Sequence, residues 1–106
     1  MGTKEITSNE EFEKIIGKGV TLVDFNAPWC GPCLAQEPIL NKLADQLKGK
    51  ADVAAVNIDD HQELAANFNI QSVPTLIIFK ESREQQRFVG LQPESTLLNA
   101  MEYELT

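Results

Sequence analysis

A chain of 106 residues is long enough for one hydrophobic core and too short for two, so residues 1–106 read as a single domain. Its 42% hydrophobic and 24% charged residues suit an ordinary globular protein, and a formal net charge of −7 argues against electrostatic binding to nucleic acid or an anionic membrane. The N-terminal Met1-Gly2-Thr3-Lys4-Glu5-Ile6 lacks a signal-peptide core and the myristoylation pattern, and no stretch is long enough to span a bilayer, so a cytoplasmic chain is expected.

Residues 3–7 form a short candidate edge strand. Ser8-Asn9-Glu10-Glu11 then has the spacing of a capping box, and Phe12, Ile15 and Ile16 follow at helical intervals, with Gly17 suited to a left-handed stop. Glu10, Glu11 and Glu13 read as a solvated helix face at the positive end of the dipole. Residues 20–26 are mostly apolar, as expected of a strand covered on both faces. A helix is predicted from Pro32, whose missing N–H costs nothing in the first turn, to about Lys48, with Gly49 ending it. Its core stripe is Ile39, Leu40, Leu43, Ala44 and Leu47, and Pro38 removes one hydrogen bond within it.

Residues 53–58 are the next buried strand. Asp59 and Asp60 can cap a short helix reaching Phe68, with His61 solvated at its start and Asn69 as its left-handed stop. Residues 75–79 are a strand and 85–89 its antiparallel neighbour, joined by a connection that lacks the Asn-Gly favoured in tight hairpins. Residues 93–105 close the chain as a helix with Leu97, Leu98, Met101 and Leu105 facing inward, and the five phenylalanines are assigned to packing. Alternating strands and helices, then a hairpin and a helix, fit an α/β fold: a three-layer α/β/α sandwich with a central mixed sheet.

The chemistry gathers at Trp29-Cys30-Gly31-Pro32-Cys33, which holds both cysteines and the only tryptophan. A strand followed by Cys-x-x-Cys at the start of a helix reads as a dithiol redox site, because the spacing lets two sulfurs meet across one helical turn. Cys30 is the candidate nucleophile, expected at the exposed helix end beside Pro28, Trp29 and Pro32, where unpaired N–H groups and the macrodipole favour a thiolate. Cys33, one turn further in, is expected to be buried and to resolve a mixed disulfide. No Lys or Arg occurs in residues 19–41, so the helix terminus and a hydrogen bond from Cys33 are left to activate Cys30. Half a zinc site is the alternative for the pair; it is short of ligands, with His61 the only further nitrogen or sulfur donor of the usual kind. Asp24 lies inside an apolar strand, so its carboxylate must be paired, protonated or functional, unless the strand end reaches water. Val73-Pro74-Thr75 places a proline where a strand opens, which a plain strand-start marker also explains.

The chain resembles the thioredoxin family. The likeness rests on Trp29-Cys30-Gly31-Pro32-Cys33, Val23-Asp24-Phe25, Pro38-Ile39-Leu40, Val56-Asn57-Ile58-Asp59, Ser72-Val73-Pro74-Thr75 and Phe88-Val89-Gly90, an ordered set covering almost the whole chain. It implies the thioredoxin fold and a protein-disulfide reductase that needs no bound cofactor, the Cys30–Cys33 pair carrying the electrons. A flavin-containing, NADPH-dependent thioredoxin reductase would re-reduce it, disulfide-containing client proteins would be its substrates, and it would act as a monomer. The resemblance makes Asp24 a proton relay for Cys33 and the Val73–Pro74 bond cis. It gives Trp29, Val73, Pro74 and Gly90 to substrate binding, although a plain turn also explains Gly90, and Gly31 and Pro32 to redox tuning, as in reducing members. Asn26 stands where Trp is common, Leu34 where Lys or Arg often follows the second cysteine, and Gln36 and Glu37 make the first helical turns more polar. Ala55 replaces a common lysine near the aspartate, which should leave the Asp24 pKa more strongly raised. A reductase dedicated to one partner and a non-catalytic binding module built on the same fold are the alternatives.

Overall fold

The apolar strand that leads into the cysteines occupies the middle of a five-stranded mixed sheet in the computed structural model, which describes residues 2–106. Met1, which opens the stretch read above for targeting signals, lies outside the described residues. In chain order the elements are β1 (Lys4–Glu5), α1 (Asn9–Ile16), β2 (Val20–Asn26), α2 (Gly31–Gln46), β3 (Asp52–Asn57), α3 (Gln62–Asn67), β4 (Thr75–Lys80), β5 (Arg83–Val89) and α4 (Glu94–Leu105). The strand order is β1-β3-β2-β4-β5; β1, β3 and β2 run parallel, and β4 and β5 are antiparallel to their neighbours.

Side chains alternate across the strands, and this period of two sorts the core into two layers. Val20 and Leu22 of β2, Val53 of β3 and Leu76 and Ile78 of β4 pack with Leu40, Leu43, Leu47, Leu97 and Met101 from α2 and α4. Val23 and Phe25, Ala54 and Val56, and Ile77 and Phe79 point the other way, onto Phe12, Ile16 and Leu64 from α1 and α3. There Phe12, Phe68 and Phe79 meet edge-to-face, with centroids 5.4–5.7 Å apart. Asp24 falls on the α2 side by the same alternation. The three layers and mixed sheet match the fold expected from the sequence.

The differences lie at element ends. Ser8 caps α1 as expected, its Oγ accepting the Glu11 N–H at 3.0 Å, but Glu11 Oε1 reaches back to the Thr7 N–H at 2.7 Å. Gly17 is not the left-handed stop: its φ is −74°. The Ser82 N–H donates to the Ile16 carbonyl at 2.8 Å, so the hairpin satisfies the helix end and the left-handed residue is Gly19, at φ +56°. The β4–β5 turn is made by Glu81 and Ser82, both at positive φ without a glycine. Such a turn follows the twist of the strands. The Glu81 N–H donates to the Gly19 carbonyl at 3.0 Å, and Glu81 Oε2 accepts the Gly19 N–H at 2.8 Å, which holds it in place. Asp59 and Asp60 do not cap α3, whose N-cap is His61 with no side-chain cap bond; the chain turns once more before the helix begins. Asn69 does adopt φ +55° after α3.

Candidate functional site

The loop from the end of β2 to the start of α2 carries the site. The Cys30 N–H donates to the Ala27 carbonyl at 3.2 Å, closing the turn that aims residue 30 at the helix axis. Cys30 is then the N-cap of α2 in extended conformation, Gly31 and Pro32 form its first turn, and Cys33 follows one turn in. The Cys33 N–H donates to Cys30 Sγ at 3.1 Å, so the sulfur takes up one of the unpaired donors of the helix N-terminus. Cys30 and Cys33 are joined as a disulfide with Cα atoms 5.2 Å apart.

Exposure does not separate the two cysteines. The sequence places Cys30 at an exposed end, but in the disulfide form both residues are 5% exposed. Ala27, Ile58 and Val73 pack around the pair. Helix position is what distinguishes them: Cys30 Sγ faces the helix donors and lies 3.5 Å from the Val73 carbonyl.

Of the expected substrate-binding residues, Val73 lies against this sulfur. The Val73–Pro74 bond is cis, Pro74 is buried and Val73 half-buried. The Gly90 N–H donates to the Pro74 carbonyl at 2.8 Å, which ties the end of β5 to the proline loop. Gly90 has φ +94°, and a Cβ there would meet nothing within 4 Å, so the turn conformation, not crowding, requires glycine. Trp29 is 68% exposed and fixed by its Nε1–H, which donates to Asp59 Oδ2 at 3.1 Å. That bond is the structural use of the aspartate expected to cap a helix.

Asp24 is 2% exposed and faces α2. Asn26, two residues on and therefore on the same face, donates from Nδ2 to Asp24 Oδ2 at 3.2 Å, while Oδ1 has no partner among the described residues. Burial pushes the Asp24 pKa up to about 6; the Asn26 hydrogen bond pulls it down and the Glu37 charge adds to the rise. Ala55 is its partner on β3, so no ammonium reaches it from there. Asp24 and Cys33 both line a cavity of about 370 Å³, with Asn26, Glu37, Ala55 and Asn57 among its walls. A cavity of this size, lined by both the carboxyl and the sulfur residues, has room for several waters.

Gln36 is the residue the sequence reading leaves without a task. It is fully buried, its Nε2 donates to the Gln92 carbonyl at 3.0 Å, and its Oε1 accepts the Gln92 N–H at 2.8 Å. One amide thus clamps the redox helix to the segment after Gly90. A glutamine at a core-facing helical position was the available signal; its partner 56 residues away was not. Gln36→Leu leaves a peptide donor and acceptor half-buried and unpaired, so urea denaturation should show a loss of about 1–3 kcal/mol with an unchanged m value.

The family model described as Thioredoxin matches residues 3–103. The thioredoxin of Staphylococcus haemolyticus (strain JCSC1435) is 40% identical over 98 residues, which cover 92% of this chain and 94% of that protein. The thioredoxin of Staphylococcus aureus (strain N315) is 38% identical over the same shares. Among solved structures, a mutant thioredoxin from Halobacterium salinarum NRC-1 superposes with a TM-score of 0.92 at 32% identity, covering 99% of this chain and 92% of that one. The Malassezia sympodialis thioredoxin gives 0.90 at 28% identity, covering 100% and 94%.

Proposed function

This chain belongs to the thioredoxin family and is a thiol–disulfide reductase, and from that premise we propose how its residues divide the work. Cys30 is the attacking sulfur. The observation that carries this assignment is the bond from the Cys33 N–H to Cys30 Sγ at the N-cap of α2, a place that favours a thiolate. In the reduced protein the Cys30 thiolate attacks one sulfur of a client disulfide, forming a mixed disulfide and expelling the other client sulfur as a thiolate. Cys33 then gives its proton to ionised Asp24 by way of the cavity they share. Its thiolate attacks Cys30 Sγ, the bond from Cys30 to the client breaks, and the second client thiolate leaves. The client gains two electrons and, from solvent, two protons; the reductase ends as the Cys30–Cys33 disulfide.

Trp29, Val73, Pro74 and Gly90 form the docking rim, with Gly31 and Pro32 setting the geometry of the first helical turn. The electron pair resides on the two sulfurs, so no bound cofactor is required. A flavin-containing, NADPH-dependent thioredoxin reductase restores the dithiol, in a cytoplasmic setting that keeps client thiols reduced, and the protein acts as a monomer. NADPH consumption in the presence of a protein disulfide, with several thioredoxin reductases offered as donors, tests this. Turnover dependent on both cysteines is expected. Binding of the client that persists unchanged in the Cys30→Ser, Cys33→Ser double variant, with no turnover by the parent, would mean a binding module instead.

A further inference from the structure

The family likeness leaves Asn26 and Ala55 unexplained, since they stand where a tryptophan and a lysine are common, and the geometry joins them. Within the sheet no cation is paired with Asp24 among the described residues. The register partners are Ala55 on β3 and Leu76 on β4. The titratable groups lining the shared cavity besides Asp24 are Cys33 and Glu37 of α2 and Glu5 of β1, and no lysine or arginine lines it among the described residues. Among the described residues Asn26 is the one side chain that donates to the carboxyl, at 3.2 Å. Among the described residues the buried Asp24 Oδ1 has no hydrogen-bond partner, nor does Thr3 Oγ1 on the wall of the same cavity.

We propose that Asn26 is a positioning residue for the Asp24 proton relay: its amide grips Oδ2, favours the ionised carboxylate that can take the Cys33 proton, and leaves the buried Oδ1 as the acceptor not already engaged. The inference rests on the relay reading given above. A neutral amide thus does by hydrogen bonding what an ammonium at position 55 would do by charge. The Glu37 charge opposes ionisation of Asp24, so the donor is what keeps the relay usable near neutrality.

The test uses the full chain. In the oxidised protein the cysteines do not titrate, so carboxyl NMR follows Asp24 without a coupled thiol. Asn26→Leu, with Asn26→Ala as a second variant should the first fail to fold, should move the Asp24 midpoint upward by about one pH unit. Adding Ala55→Lys to either should bring it back down. Single-turnover resolution of a Cys30 mixed disulfide should show its rising pH limb displaced by the same amount, while alkylation of Cys30 by iodoacetamide keeps its rate. Asp24→Asn should remove that limb. A limb that survives in Asp24→Asn overturns the relay and the inference with it. A limb lost in Asp24→Asn, with a midpoint that does not move in Asn26→Leu or Asn26→Ala, overturns the inference alone.

Discussion

Cys30→Ser is expected to reduce protein-disulfide reduction to the uncatalysed level, whereas Cys33→Ser still attacks once and stays locked to its client. Both cysteines are 5% exposed in the disulfide form, so access alone does not choose between them. Position does. Cys30 Sγ sits at the N-cap of α2 and receives the Cys33 N–H, so negative charge on this sulfur meets the positive end of sixteen residues of helix. A Cys33 thiolate would lie one turn further in, at a cavity it shares with the Asp24 and Glu37 carboxyls. Charge there is disfavoured until a proton acceptor takes part. The two variants should therefore part cleanly under a non-reducing gel and mass spectrometry with a model client. Cys33→Ser accumulates a mixed disulfide at Cys30, and Cys30→Ser accumulates none. Trapping of equal amounts through either remaining sulfur would assign the roles wrongly.

Asp24→Asn should stabilise the protein at neutral and alkaline pH while slowing resolution. The Asp24 pKa is raised from 3.8 to about 6, so between those values the folded state holds a proton that the unfolded chain releases. The contribution is fully favourable below about pH 4 and is lost as pH rises through about 6. Above that, a buried carboxylate with one hydrogen bond costs about 3 kcal/mol, at roughly 1.4 kcal/mol for each pH unit of elevation. Asparagine still offers a carbonyl to the Asn26 amide and carries no charge to desolvate. Paired urea titrations should show a stability difference near zero at pH 3.5 that grows to about 3 kcal/mol by pH 8. A difference independent of pH would mean that the carboxyl does not titrate on folding as argued. The functional cost is the missing proton acceptor: mixed disulfides should persist longer in this variant even though it is the more stable protein.

The strands and helices were legible because each is signalled within its own span. Ser8 and Glu11 are three residues apart, the cysteines lie within one helical turn, and the mostly apolar run 20–26 is long enough to declare a strand covered on both sides. The order of strands and helices then restricts the layers to few arrangements. Asp24 could be singled out because a carboxylate in such a run must have a reason to be there. The cis Val73–Pro74 bond was legible through family resemblance alone, since the residue pair does not specify its isomer.

What the sequence determined by itself is therefore the periodicity, the Ser8 cap and the dithiol at a helix start, all of them interactions between residues a few positions apart. Tertiary structure decided the rest. It moved the left-handed turn from Gly17 to Gly19, because the hairpin's Ser82 N–H had already satisfied the end of α1. It turned Asp59 from a cap into the acceptor for Trp29, and Gln36 into a clamp on Gln92. It enclosed Cys30 and, among the described residues, made Asn26 the one side-chain donor to a carboxyl whose cavity no lysine or arginine lines. A buried polar group must find partners wherever the folded chain supplies them, and here those partners come from other elements or from a strand face that only packing could identify.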